Sequence, residues 1–412
     1  MRPELQDVMN LQCSSCGDQA RPGALGQCTR CGGILCPRYS DATVSQLREI
    51  RPGPGIDRYR PLLPVSIAIP YLGEGDTPLV RSRRIGPSLG LRQLHFKHEG
   101  RNPTGAFKDR AGALAAALAI AAGARGMLTA SSGNSAAALA AYCAAAGLKC
   151  FVLLEPGNPA GKLRQAVAAG AVVVPVDGLF SRGREALAAL LSEVAYRLHC
   201  YLAFIYAPLN PYLLEGIKTI SYEIAARLPG APDVLVCPVG GGDLLAAQWR
   251  GYLELQRAGV VVGLPRMVAV QSVNAPPLLE AFRAGAERVA TVAGPSSRLS
   301  GINVPFTGDH ALAAVRSSRG TAAGIQDAEA LAMQARLARE EGIWVEPASA
   351  APVAALRGLL ERGEIRADER VVCLLSGAGF KDAHLAESEA AAIQQREPVE
   401  FSAAAIVRLI DA

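Results

Sequence analysis

The stretch Asn102-Pro103-Thr104-Gly105-Ala106-Phe107-Lys108-Asp109-Arg110 decides the reading of this chain. It sets a Pro-Thr-Gly turn before one lysine, and that lysine before an Ala-rich helical run over residues 111–124. Lys108 is therefore expected at a helix N-terminus. There the dipole and the free N–H groups favour a neutral amine or a bound anion. A neutral lysine is a nucleophile that can form a Schiff base with an aldehyde. Alone, such a motif more often marks an ordinary surface lysine in a helix's first turn, so the rest of the chain has to decide.

From residue 78 onward, short β-rich runs alternate with Ala-rich helical runs. Strands are expected at 94–97, 126–129, 149–154, 172–176, 234–238, 267–271 and 371–375. Helices are expected at 136–146, 161–169, 181–198, 216–227 and 328–341. This order predicts an α/β fold with mostly parallel sheets and helices on both faces, in which ligands collect at the carboxyl ends of strands. Besides the Lys108 loop, three others lie at such ends. Ser131-Ser132-Gly133-Asn134-Ser135 offers hydroxyls and an amide suited to a carboxylate or phenolic oxygen. Gly240-Gly241-Gly242-Asp243-Leu244 lets backbone N–H groups approach a phosphate. Ser376-Gly377-Ala378-Gly379-Phe380-Lys381-Asp382 is the last. A Schiff-base lysine beside a phosphate loop makes pyridoxal phosphate (PLP) the leading cofactor.

The 412 residues suggest two main domains with a small appendage. Half of them are hydrophobic but only 5% aromatic, so alanine and the aliphatics must do the packing. The net charge of +5 is spread out, with no basic block for a nucleic acid. Residues 1–7 lack a signal core, and the most apolar run, 111–124, is too short to span a bilayer; a soluble, cytoplasmic protein without a membrane partner is expected. Cys13, Cys16, Cys28 and Cys31 form two Cys-x2-Cys knuckles eleven residues apart, the pattern of a structural zinc ribbon, with Cys36 as a spare. Cys143, Cys150, Cys200, Cys237 and Cys373 read as buried small hydrophobes. The Pro-rich residues 51–70 connect the module to the body. The five histidines show no metal spacing.

In this order the loops make the chain resemble PLP enzymes of the tryptophan synthase β family (fold type II), and within them the threonine synthases. The matching text covers residues 60–385. It includes Leu72-Gly73-Glu74-Gly75-Asp76-Thr77-Pro78-Leu79, Lys97-His98-Glu99-Gly100, Asn210-Pro211, Leu214-Glu215-Gly216-Ile217-Lys218-Thr219, Val239 with its glycines, Trp249-Arg250-Gly251 and Glu346-Pro347-Ala348-Ser349-Ala350. The resemblance implies two doubly wound domains behind a zinc-ribbon-like module at 1–45. The large PLP-binding domain would be discontinuous, 46–110 and 213–395; a smaller mobile domain would span 111–212, and a tail 396–412. It implies PLP as a Schiff base on Lys108, which then serves as proton shuttle, with Phe107 beside it. Asn134 would bond the phenolic oxygen, and Gly240, Gly241, Gly242, Asp243 and Leu244 would hold the phosphate. Ser376 would face the pyridine nitrogen. Ser131, Ser132, Gly133 and Ser135 would line the substrate carboxylate site, and the enzyme would be a homodimer. A hydroxyl at Ser376 need not protonate the ring, which weakens the electron sink and favours elimination over transamination.

The match departs where the leaving group should lie. Aligned on Asn210-Pro211, the family carries an asparagine, a serine and an arginine where this chain has Ala207, Pro208 and Leu213. A lost arginine–phosphate contact should cost about 2–4 kcal/mol. Gly-Gly-Gly-Asp replaces the usual Gly-Asn-x-Gly, and Asp243 beside a phosphate is unfavourable unless it turns away. Ala106 and residues 300–306 depart as well. Retained cofactor chemistry on a small amino acid other than O-phosphohomoserine is the expected activity, with threonine synthase itself or a β-replacing or dehydratase-type enzyme as alternatives. A non-catalytic regulator is disfavoured because Lys108, Asn134, the glycine loop and Ser376 all persist. Arg298 is a candidate replacement cation. Lys97 reaches a substrate anion or makes a salt bridge, and Glu215 and Lys218 pair along a helix.

Overall fold

The alternation of apolar runs resolves into two mostly parallel sheets and a small antiparallel one in a computed structural model. It describes residues 10–14, 16–20, 26–50, 52–131, 133–156, 160–383, 387, 391 and 400–410. The N-terminal sheet has the order β2-β1-β3, from β1 (Asn10–Cys13), β2 (Gln19–Ala20) and β3 (Leu35–Arg38). A six-stranded sheet has the order β12-β11-β10-β13-β5-β4. Its strands are β4 (Leu79–Arg81), β5 (Gln93–His98), β10 (Val234–Pro238), β11 (Arg266–Ser272), β12 (Thr321–Ile325) and β13 (Arg370–Leu375), and all are parallel except the edge strand β4. A four-stranded parallel sheet, β8-β7-β6-β9, is built from β6 (Gly126–Ala130), β7 (Lys149–Leu154), β8 (Val172–Pro175) and β9 (Tyr201–Leu202).

Every residue of β10 is buried, as the unbroken apolar run of a strand covered on both faces requires. The Lys108–Ala121 helix is buried from Asp109 to Ala119, so its alanines face neighbours all round. A Cβ added at Gly216 would lie 2.4 Å from Arg110 O, so the Leu214–Arg227 helix meets the Lys108 helix backbone to backbone. The Pro-rich segment is no free linker. It forms 3-10 turns over Gly55–Leu62 and buries Ile56, Tyr59 and Leu62. Cys143, Cys150, Cys237 and Cys373 are buried as expected, whereas Cys200 is partly exposed. The described residues from Asp382 onward form a separate unit containing the helix Ala403–Ile410.

Beneath the Lys108 helix lies a buried ionic cluster. Arg110 donates to Glu99 from Nε at 2.8 Å and to Glu223 from Nη1 at 2.6 Å. Lys97 Nζ reaches Glu223 at 2.6 Å and Thr77 O at 2.7 Å. Two cations face two anions, so the cluster is neutral. Burial pushes the Glu223 carboxyl up, but Arg110 and Lys97 outweigh that and hold it at about 2, below its ordinary 4.5. Arg110→Met leaves Glu99 and Glu223 to share the single buried cation Lys97 and should lower unfolding stability by about 3–5 kcal/mol in urea titrations. A depressed carboxyl contributes fully above its unfolded pKa and is lost as pH falls toward its folded one. Wild-type stability should therefore decline between pH 4.5 and about 2, and Arg110→Met should flatten that limb.

Candidate active site

The Pro-Thr-Gly turn is locked from both ends. The Asp109 carboxylate accepts from Thr104 N at 2.9 Å and from Thr104 Oγ1 at 2.8 Å. Phe107 N donates to Ser376 O at 3.0 Å and Ala378 N to Gly105 O at 2.8 Å, forming a bridge between the first and last loops. Gly105 has φ +88°, a conformation that calls for glycine, and the exposed Phe380 ring lies over it. Lys108 is the first residue of its helix, as its sequence context predicts. Among the described residues no hydrogen bond or ion pair holds its Nζ, which lies 4.8 Å from the Phe107 ring centre. Burial pushes the amine's pKa down, and the Asp243 carboxylate partly offsets this. A desolvated, unpaired amine is what Schiff-base chemistry needs.

Ser376 Oγ lies 2.8 Å from Ser349 Oγ, which also accepts from Gly377 N at 2.7 Å. Glu346 passes across Gly377, where a Cβ would fall 2.2 Å from its Oε1. Its carboxylate accepts from Asn134 Nδ2 at 3.0 and 3.2 Å, so the second loop is tied to the fourth. Asn134 opens the Asn134–Ala145 helix, and Ser131, Gly133 and Ser135 are half-buried beside it. Ser132 lies outside the described residues. Glu346 and Ser349 had no assigned role in the sequence reading. The signal was there: Pro347 at the first position of its helix marks Glu346 as the residue that starts it.

The glycine loop turns into the Asp243–Arg257 helix through Gly242, at φ +99° and with Ala311 Cβ 2.6 Å from the place a Cβ would take. Gly240 O accepts from Thr307 Oγ1 at 2.7 Å, and Gly241 O from Gly308 N at 2.9 Å. The helix start offers free N–H groups of the kind that can hold an anion, and Gly242 has no room for a side chain. Asp243 turns away from those N–H groups. Its Oδ1 accepts from Ala207 N at 3.1 Å and meets His310 Nε2 at 3.0 Å. Leu244 is buried in the core. The Tyr206 ring lies beside Gly241 and packs on Phe204 and Phe306. Ala207, Pro208 and Leu213 are all buried. Arg298 is exposed, and Lys97 belongs to the ionic cluster below.

Cys13, Cys16, Cys28 and Cys31 bring their sulfurs within 4.8 Å of one another. Cys13 and Cys31 are 3.5 Å apart, Cys16 and Cys28 3.7 Å. Tetrahedral Zn2+ with ordinary Zn–S bonds needs sulfurs about 3.8 Å apart, so the set fits and could hold zinc.

A family model described as pyridoxal-phosphate dependent enzyme matches residues 71–377. The threonine synthase of Methanosarcina acetivorans is 37% identical over 383 residues, covering 91% of this chain and 93% of that one. That of Methanocaldococcus jannaschii is 37% identical over 407 residues, covering 95% and 96%. Among solved structures, maize serine racemase superposes with a TM-score of 0.64 at 23% identity, covering 77% of this chain and 92% of that one. The T.th. threonine deaminase gives 0.60 at 26% identity, covering 73% and 92%. The match takes in well over half of the chain, from the residues before Lys108 to Gly377, and the chain belongs to the pyridoxal-phosphate-dependent enzyme family.

Proposed function

We propose that this enzyme carries out elimination or replacement at the β or γ carbon of a small amino acid other than O-phosphohomoserine. The observation that supports this reading is the apolar character of Ala207, Pro208 and Leu213. All three are buried, none offers a side-chain donor, and the Ala207 N–H is already taken by Asp243. A phosphate-bearing leaving group would find no cation on that segment.

Pyridoxal phosphate, when bound, supplies the electron sink for charge at the substrate α carbon. The rest falls to side chains. In this reading Lys108 holds the cofactor as a Schiff base and later carries the α proton on Nζ, its burial favouring the neutral form. The N–H groups of residues 240–244 hold the phosphate, Asn134 the phenolic oxygen, and Ser376 the pyridine nitrogen, steadied by Ser349. Ser131, Ser132, Gly133 and Ser135 receive the substrate carboxylate. Assembly as a homodimer belongs to the same reading.

The high identity to proteins named threonine synthase favours a second reading, conversion of O-phosphohomoserine to threonine and phosphate. Steady-state assays with O-phosphohomoserine, O-phosphoserine, O-acetylserine, serine and threonine separate the two. Under the first reading, kcat/KM for O-phosphohomoserine should fall roughly 30- to 1000-fold below that of the best substrate, matching a lost arginine contact. Efficient threonine release from it would establish the second reading instead. Independently, Lys108→Ala should abolish the visible Schiff-base absorbance and turnover together while leaving the unfolding transition cooperative.

A further inference from the structure

The four-cysteine module does not stand apart from the active site. Gly26, two residues before Cys28 of the second knuckle, packs its Cα onto the segment that borders the phosphate cradle. A Cβ added there would lie 2.1 Å from Ala207 O and 2.7 Å from the Pro208 carbonyl carbon. Within the module Gly26 is held by Leu35 N, which donates to its carbonyl at 2.8 Å, and by the Gln27–Ile34 bridge. Cys28 N then donates to Gly33 O at 2.7 Å, closing the knuckle that holds Cys28 and Cys31. On the other side, the Ala207 N–H donates to Asp243 Oδ1 at 3.1 Å, and Asp243 follows the left-handed Gly242. The path from knuckle to cradle thus runs Cys28, Gly26, Ala207, Asp243, Gly242, along the chain at either end and through a backbone contact and a hydrogen bond between Gly26 and Asp243. Leu11, Ile34 and Leu35 share one buried cluster with Ala207 and Leu213, so the docking is dry as well as close.

We propose that the module is a metal-dependent buttress of the phosphate-binding loop, so that zinc in the four-cysteine site tightens the binding of pyridoxal phosphate. Without metal, four thiols need not keep the two knuckles closed, since structural zinc supplies folding energy to small modules of this kind. Gly26 would then lose its fixed place, Ala207 its backing, and Asp243 one of the two contacts that turn its carboxylate away from the cradle, leaving His310 as the other. A carboxylate released toward the cradle opposes the cofactor's phosphate. The sign of the coupling follows from this: losing zinc weakens cofactor binding, and by reciprocity bound cofactor retains zinc.

The experiment uses the full-length protein, with zinc content by elemental analysis and cofactor affinity by absorbance titration of resolved apoenzyme with pyridoxal phosphate. Wild type should carry one zinc per chain. Stripping it with a chelator should raise the dissociation constant for pyridoxal phosphate roughly 3- to 30-fold, the range of through-structure couplings, and added zinc should restore it. Gly26→Ala should give a similar loss with its zinc retained. Stripping zinc from Gly26→Ala should add little further, because both act on one contact. A module that serves stability alone would lower the unfolding temperature and leave the dissociation constant within twofold in both cases, which overturns the proposal. So does purified protein without stoichiometric zinc. Should Gly26→Ala not fold, the reversible zinc cycle on wild type decides.

Discussion

Everything at the site depends on where Arg110 is held. It sits two residues after Lys108 on the same helix, fully buried, with its guanidinium between Glu99 and Glu223. Glu99 follows β5 and Glu223 belongs to the Leu214–Arg227 helix, so one side chain fixes the Lys108 helix to the six-stranded sheet and to its neighbour. Buried ion pairs contribute little net stability, because desolvation offsets most of the attraction. Their geometry is directional, however, and a fork of five N–H groups satisfied on two sides leaves the helix little freedom to rotate or slide. In the role proposed for it Lys108 has to project from a fixed point, and this cluster holds the helix that carries it.

A second buried cluster performs the same service for the N-terminal module. The Glu215–Lys218 pair expected along one helix forms at 2.5 Å, but it is part of something larger. Lys218 also meets Glu254 at 2.8 Å, and Arg250 meets Glu215 at 2.7 Å. The Lys218 ammonium lies 4.4 Å from the Tyr39 ring centre, and Arg257 reaches Asp41 at 2.7 Å. Residues just beyond the knuckles are thereby tied to both helices that flank the Gly240–Gly242 loop.

What was legible in the sequence was local. Strands such as Lys149–Leu154 and Val234–Pro238 have the bounds their apolar runs predict, because burial on both faces selects continuous hydrophobic text. The short edge strand β4, the two-residue β9 and the Ala- and Gly-rich β12 carry too little pattern to be singled out. Lys108 at a helix start, the glycine turn and the four-cysteine spacing were readable because each is a short-range geometric requirement. The partners of Arg110 were not: Glu223 is 113 residues away, and no spacing rule links them. Glu346 and His310 were hidden for the same reason, as both act across loops joined only in the fold. The Pro-rich segment misled in the opposite sense. Proline density reads as a linker, yet fixed φ angles suit a run of 3-10 turns that packs Ile56 and Tyr59 inward.

The position of the module also bears on why Ala207, Pro208 and Leu213 depart from the family text. A substrate-binding arginine at 213 would have to lie beside a dry cluster that includes Leu11 and Leu35. A charge there without a partner is costly whenever no anion is bound. Apolar residues remove that cost and let the module seat against the segment. Docking and substrate choice are therefore not independent explanations of the same three residues. On the substrate reading proposed above, an anionic substrate group would be met by backbone N–H groups at the helix starts, which suit a carboxylate.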